Sequence, residues 1–189
     1  MTVPLVTTLE HHRLWWMLCA PFVTAGMFLG SWRQPLGTLR VDRVEVHPHM
    51  HRLHRRLYSL VRVVRRSFGS DLPHWAVAGT LLGCVRHRAI IPWDDDIDLG
   101  VWETDMGAAR QRLEASGLRV VPLHFGWKAW VPGDPGVSVD IFAFRERGGR
   151  VEYARKLARS MWPGEWFEAS SLREMREAPL GPAAVPCPA

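Results

Sequence analysis

Four carboxylates fall within five residues at Asp94, Asp95, Asp96 and Asp98, and a fifth, Asp140, stands in the apolar run Val139-Asp140-Ile141-Phe142. Like charges this close repel and raise one another's pKa unless protons or a cation neutralise them. Ligands that are all oxygen select hard cations, so Mg²⁺, or Mn²⁺ in its place, is the natural occupant and zinc is disfavoured. An acidic surface loop or a calcium-binding turn would use the same string. Its context favours the metal site, because the acids run directly into the apolar Ile97, Leu99 and Val101 of a core strand. Strand alternation presents Asp94, Asp96 and Asp98 on one side. A lone buried carboxylate at Asp140 would be penalised, and a shared metal offsets that cost. The expectation is that Asp96, Asp98 and Asp140 converge on one cleft.

The elements that position these acids can be read from periodicity. Met50, Leu53, Leu57, Leu60, Val61, Val64 and Phe68 recur at three- and four-residue intervals, the pattern of an amphipathic helix. Its other face carries Arg52, Arg55, Arg56, Arg62, Arg65 and Arg66 and reads as solvated. HWAVAG, ending at Gly79, is a short buried strand entering a turn, with a short helix after it that Pro92 stops. A helix is expected from Thr104 to Ser116, capped by Thr104 or Asp105 and stopped by Gly117. LRVVPLHF, WKAWV and VSVDIFAF are strands, the last two close enough for an antiparallel hairpin. RVEYARKLARSM reads as a further helix, and residues 176–189 as a loose Pro/Ala-rich tail. The fold class is α/β (α+β), a mixed sheet flanked by helices.

The chain of 189 residues can bury one core of its own, and its net charge of +5 comes almost wholly from arginine, since Lys128 and Lys156 are the only lysines. That balance suits anionic partners without choosing among them. Cys19, Cys84 and Cys187 have neither CxxC spacing nor the pairing of a disulfide framework, and read as buried or unpaired thiols. His47, His49, His51 and His54 do not form a metal site by count alone. Leu14 to Trp32 is free of charge and about long enough to cross a hydrocarbon core. A membrane anchor, a buried helix and a cleaved signal all fit it. Residues 1–33 are thus the N-terminal hydrophobic segment, 34–48 a linker and 49–175 the main domain.

AGTLLGCVRHRAIIPWDDDIDLGV closely resembles the signature of the LicD/fukutin family, and VDIFAF resembles that family's downstream acidic strand. Both lie in the order of the wider polymerase-β-like nucleotidyltransferase superfamily, and the match covers roughly Trp75 to Phe144. The resemblance implies a nucleotidyltransferase-like fold. It also implies an enzyme that moves a phospho-alcohol, such as phosphocholine or ribitol phosphate, from a CDP-linked donor to a glycan hydroxyl. Asp96 and Asp98 would then be the principal metal ligands, with Asp94 completing the shell. Asp140 would hold a second metal or take the acceptor proton as general base.

Gly79 and Thr80 occupy a turn where backbone N–H groups and a hydroxyl can approach phosphate. Arg86 and Arg88 follow as forked phosphate donors, His87 as a structural hydrogen-bonding residue, and Lys128 as a weaker phosphate candidate. Trp93, Trp102, Trp127 and Trp130 could stack a base, but such aromatics more often belong to a core. The resemblance also implies a membrane-associated enzyme, in the Golgi if the source is eukaryotic, or a cytoplasmic one if residues 14–32 are no anchor. No nucleic-acid partner is expected. The family's usual chain runs further past its acidic strand, so a truncated, catalytically impaired nucleotide-binding or membrane-scaffold protein is the alternative.

Overall fold

The computed structural model describes residues 48–189. The hydrophobic segment 14–32 and the linker as far as His47 lie outside them. Helix α1, Pro48–Phe68, follows the expected stripe: Leu57, Leu60, Val61, Val64 and Phe68 are buried, while Arg52, Arg55, Arg56, Arg62 and Arg66 are exposed. Strand β1, His74–Ala76, leads into α2, Ala78–Arg86, and then β2, Ile97–Trp102. A single 3₁₀ turn precedes α3, Met106–Ala115, after which β3, Arg119–Leu123, β4, Gly126–Val131, and β5, Asp134–Arg147, follow. Asp105, one of the two residues expected there, stands at the N-cap position of α3 but makes no side-chain capping bond.

The sheet runs in the order β1-β2-β5-β4-β3, with β2 and β5 parallel and the other neighbours antiparallel. Both faces of β2 and β5 are buried. On one face Ile97, Leu99 and Val101 join Val139, Ile141 and Ala143 in the core beneath α1 and α3. On the other, Phe142 and Phe144 join an aromatic cluster with Trp75, Phe125 and Tyr153. Asp98 and Asp140 share that second face by alternation.

Two expectations are corrected. RVEYARKLARSM is not one helix: Arg150–Tyr153 is strand β6, paired to β5 across the Gly148-Gly149 turn, and only Lys156–Met161 is helical, as α4. Val151 and Tyr153 are buried, so alternation prevails over helical spacing here. Strand β7, Trp166–Glu168, extends this edge. Residues 176–189 are no loose tail either. Strands β8, Arg176–Leu180, and β9, Ala183–Cys187, form a hairpin whose Leu180, Val185 and Cys187 enter the same core cluster as α1. Prolines are tolerated because a two-stranded sheet is all edge. Gly181 turns with φ +59°, and a Cβ there would lie 2.6 Å from Tyr58 Cζ. No helix among the described residues is long and apolar enough to cross a membrane.

The buried hairpin has a measurable consequence. Leu180→Ala should cost about 2–4 kcal/mol of unfolding free energy in urea melts, against the few tenths expected of a residue in a loose tail. Gly181→Ala should also destabilise, through both its backbone and the contact with Tyr58.

Candidate active site

Asp98 and Asp140 are direct partners in the parallel register of β2 and β5, which sets their carboxylates side by side. Asp96 stands one residue before β2, and one oxygen from each of Asp96, Asp98 and Asp140 lies within 4.8 Å of the others. Asp94 also precedes the strand, in the turn after Pro92, where its N–H donates to Ile91 O at 2.9 Å. Strand alternation therefore accounts for Asp98 and Asp140, whereas the loop places Asp94 and Asp96. Asp94, Asp95 and Asp96 form a second oxygen cluster.

Three elements hold this group. The N–H of Gly79, in the first turn of α2 and without a partner in the helix, donates to Asp98 Oδ2 at 3.1 Å. The Asp98 N–H donates back to Thr80 Oγ1 at 2.8 Å. Gly79 is needed here because a Cβ would come within 2.5 Å of Asp94 Oδ2 and 3.2 Å of Asp98 Oδ2. Ala78 just before it has φ +43°, an uncommon left-handed conformation for a side-chain-bearing residue. From α1, His54 Nε2 bonds Asp94 O at 2.8 Å and pins the acidic loop. From β4, Lys128, in register with Asp140, places its ammonium 2.8 Å from Asp140 Oδ1 and 3.5 Å from Asp96 Oδ2.

The structure thus brings together Asp94, Asp96, Asp98, Asp140, Gly79, Thr80 and Lys128. Thr80 is buried and its hydroxyl accepts from the Asp98 N–H, so it braces β2 at the acid. Arg86 and Arg88 are exposed, at and just past the end of α2, and neither joins the acids. Lys128, read from the sequence as a weaker phosphate candidate, sits against the acids themselves. Counting across the expected β4–β5 hairpin would have set it opposite Asp140. Sequence reasoning missed His54's role, which no local signal carries, since His54 reaches across forty residues. Trp102 packs on buried Trp75 at 5.0 Å between ring centroids, whereas Trp93 is exposed.

Burial dominates the electrostatics. It pushes Asp94 up to about 6, with help from the charges of Asp96 and Asp95. It raises Asp140 to about 6 against the opposing pull of Lys128. Asp96 is raised by burial, again opposed by Lys128, and Asp98 lies well above the ordinary carboxylate range through burial and then Asp96, Asp140 and Asp94. Burial alone would lower Lys128, but Asp140 and Asp96 outweigh it and its pKa is raised. Several acids facing one ammonium leave excess negative charge. An oxygen-only cradle kept open by a missing Cβ fits a hard divalent cation.

This architecture is that of a nucleotidyltransferase-like α/β domain. The solution structure of the antibiotic-resistance factor ANT(2'')-Ia shares the fold at a TM-score of 0.51 and 18% identity, over 72% of this chain and 66% of that one. The chain matches the family described as LicD/FKTN/FKRP, nucleotidyltransferase domain, over residues 71–189, and it belongs to that family. Ribitol 5-phosphate transferase FKRP of Homo sapiens and of Mus musculus are each 37% identical to it over 86 residues. That alignment takes in 40% of this chain and 17% of either relative, so the chain matches only a small part of their length.

Protonation and cation binding should compete at this cluster. Asp94 and Asp140 have folded pKa values raised above the ordinary 3.8, so the stability tied to their protons is complete below about pH 4 and is lost as pH rises through about 6. Buried His74, whose pKa is lowered by desolvation, acts in the opposite sense over the upper part of that range. It cancels when samples with and without cation are compared at one pH. The rise in melting temperature given by Mg²⁺ over a chelated sample should therefore be small at pH 5 and larger at pH 7. At 100 times its Kd the cation would add about 2.7 kcal/mol. A difference independent of pH would count against a cation held by these acids.

Proposed function

We propose that the chain is a metal-dependent phospho-alcohol transferase of the LicD type. In this reading it moves phosphocholine or ribitol phosphate from a CDP-linked donor to a glycan hydroxyl. The observation that carries it is the pairing of Asp98 with Asp140 across two parallel strands, with Asp96 within reach and Gly79 closing the cradle. Family membership and the printed name of the FKRP relatives support the class of group transferred.

Asp96, Asp98 and Asp140, with Asp94 beside them, would hold Mg²⁺ or Mn²⁺, which supplies charge neutralisation at donor phosphate oxygens and acidifies a bound hydroxyl. The chain's own groups do the rest. Gly79 holds the Asp98 carboxylate and Thr80 its backbone N–H, and His54 fixes the loop that carries Asp94 and Asp96. Lys128 presents positive charge between Asp140 and Asp96, where a donor phosphate would meet it. Asp140 would alternatively stay free of the cation and take the acceptor proton as general base. Exposed Arg86 and Arg88 would meet outer phosphates or the glycan at the rim. In this reading residues 14–32 attach the enzyme to a membrane, that of the Golgi in a eukaryote.

The test is release of CMP from CDP-choline and CDP-ribitol by the full chain with Mg²⁺ and a panel of glycan acceptors. Asp98→Asn should lower the rate at least about 100-fold, since each ~1.4 kcal/mol of lost transition-state stabilisation is tenfold. The same variant should melt no lower than the parent in chelator, because it removes a repelling charge. Nucleotide binding without CMP release, at an affinity that Asp98→Asn leaves untouched, would replace the enzyme with a nucleotide-binding scaffold.

A further inference from the structure

A groove of about 1010 Å³ lies between the C-terminal end of α1 and the β8–β9 hairpin, and its charge is one-sided. Arg62, Arg65 and Arg66 line it from the helix and Arg176 from β8, against one acid, Glu177. Arg62 stands three and four residues before the other two, the spacing at which like charges on a helix are neighbours and repel. Glu177 offsets only Arg65, accepting from its Nη2 at 2.5 Å. Among the described residues no acid lies within ion-pair distance of Arg62, Arg66 or Arg176. Arginines in a last turn do offset the helix dipole, which accounts for Arg65 and Arg66 but not for Arg176 across the groove.

The guanidinium groups are also held in place. Arg62 Nη2 donates to Pro182 O and Arg65 Nη1 to Ala184 O, each at 2.8 Å, so the hairpin that walls the groove orients its cations. His74, only 5% exposed, lines the groove as well; its Nδ1–H donates to Leu72 O at 2.9 Å, and its buried Nε2 has no partner. Arg65 Nε is likewise buried without one. Buried polar atoms are rarely left unsatisfied, so two of them in one wall point to a polar ligand there. The groove is distinct from the acidic centre, since His74 pairs with Val101, toward the opposite end of β2 from Asp98. Among the described residues no Phe, Tyr or Trp lines it, so it offers no platform on which nucleic-acid bases stack.

We propose that this groove is an anion site, separate from the acids, that binds the phosphate group of a small phosphate ester, free or borne as a lipid headgroup. A phosphate carries about two negative charges and several acceptor oxygens, so one such group meets guanidinium forks from both walls. A carboxylate has fewer oxygens to share, and that of Glu177 already occupies the fork of Arg65. The bound anion relieves the repulsion between Arg62 and Arg66 and ties α1 to β8.

The experiment is calorimetric titration of the full chain with glycerol phosphate in chelator, where the acids hold no cation to attract a phosphate. Saturable binding of one ester per chain is expected, weakening as salt rises. Arg66→Gln combined with Arg176→Gln should weaken it at least about tenfold while melting as the parent does, both side chains being exposed. Glu177→Gln should tighten it, because that substitution frees Arg65 and removes the one acid. No saturation, binding that appears only with Mg²⁺, or an affinity that neither set of substitutions moves would overturn the site. A short single-stranded RNA that binds far more tightly than the ester, and loses that advantage in the arginine variant, would overturn it in favour of a nucleic-acid surface. Sedimentation with phosphatidate vesicles but not with phosphatidylcholine ones, reversed by glycerol phosphate, would identify the ester as a lipid headgroup. Equal sedimentation with both, or none with either, would identify it as the free ester.

Discussion

The parallel pairing of β2 with β5 forces Asp98 against Asp140, and much of the surrounding structure serves to make that juxtaposition tolerable. Two carboxylates about 5 Å apart repel by roughly 3 kcal/mol at an effective dielectric constant near 20, and Asp96 adds a third charge. The pairing holds because the opposite face of the same strands is apolar. Ile97, Leu99, Val101, Val139 and Ile141 are almost completely buried there. Full burial of one such side chain is worth about 1.5–3 kcal/mol, so a few of them outweigh a single repelling pair. The register that crowds the acids is also the register that completes the core. A slip of one residue would relieve the charges and turn the apolar set to the wrong face.

Crowding alone does not make a binding centre, since flexible carboxylates would swing apart into water. Here each is tied from a different element: Asp98 by the first turn of α2, the Asp94 carbonyl by His54 of α1, and Asp140 by Lys128 of β4. These ties leave the cluster strongly negative while limiting its freedom to relax. Such preorganisation lets an arriving cation bind without first ordering its ligands. Ammonium and cation act on the same charges, so Lys128 both stabilises the empty site and competes with its occupant.

The acids were legible in the sequence because their signal is local: alternation through Ile97-Asp98-Leu99, and the cost of burying Asp140 without compensation. The mixed sheet, α1 and the β4–β5 hairpin were legible for the same reason. What escaped depends on tertiary contacts. His54 reads as one of four clustered histidines until the helix is docked, and Lys128 as a lysine between tryptophans until register is assigned. The C-terminal hairpin was hidden by composition, because Pro and Ala carry little strand propensity, and the burial of Leu180, Val185 and Cys187 against α1 overrides it. In the case of β6, a Gly148-Gly149 turn signal was present and lost to an apparent helical spacing.

The aromatic residues show how the second face contributes without touching a substrate. Trp75 is fully buried, and Phe125, Phe142, Phe144 and Tyr153 pack with it in one cluster. Phe142 follows Asp140 by two residues on the same face of β5, so one flank of the acidic centre meets rings and not water. Excluding water from that flank has two linked effects. It raises the carboxylate pKa values, which burial does here more than any neighbouring charge. It also lowers the local dielectric constant, which strengthens the attraction for a cation once the acids are ionised. The same rings therefore penalise the empty, ionised site and favour the filled one. Replacing them with smaller apolar residues would admit water and weaken both effects, even though no ligand atom had been removed.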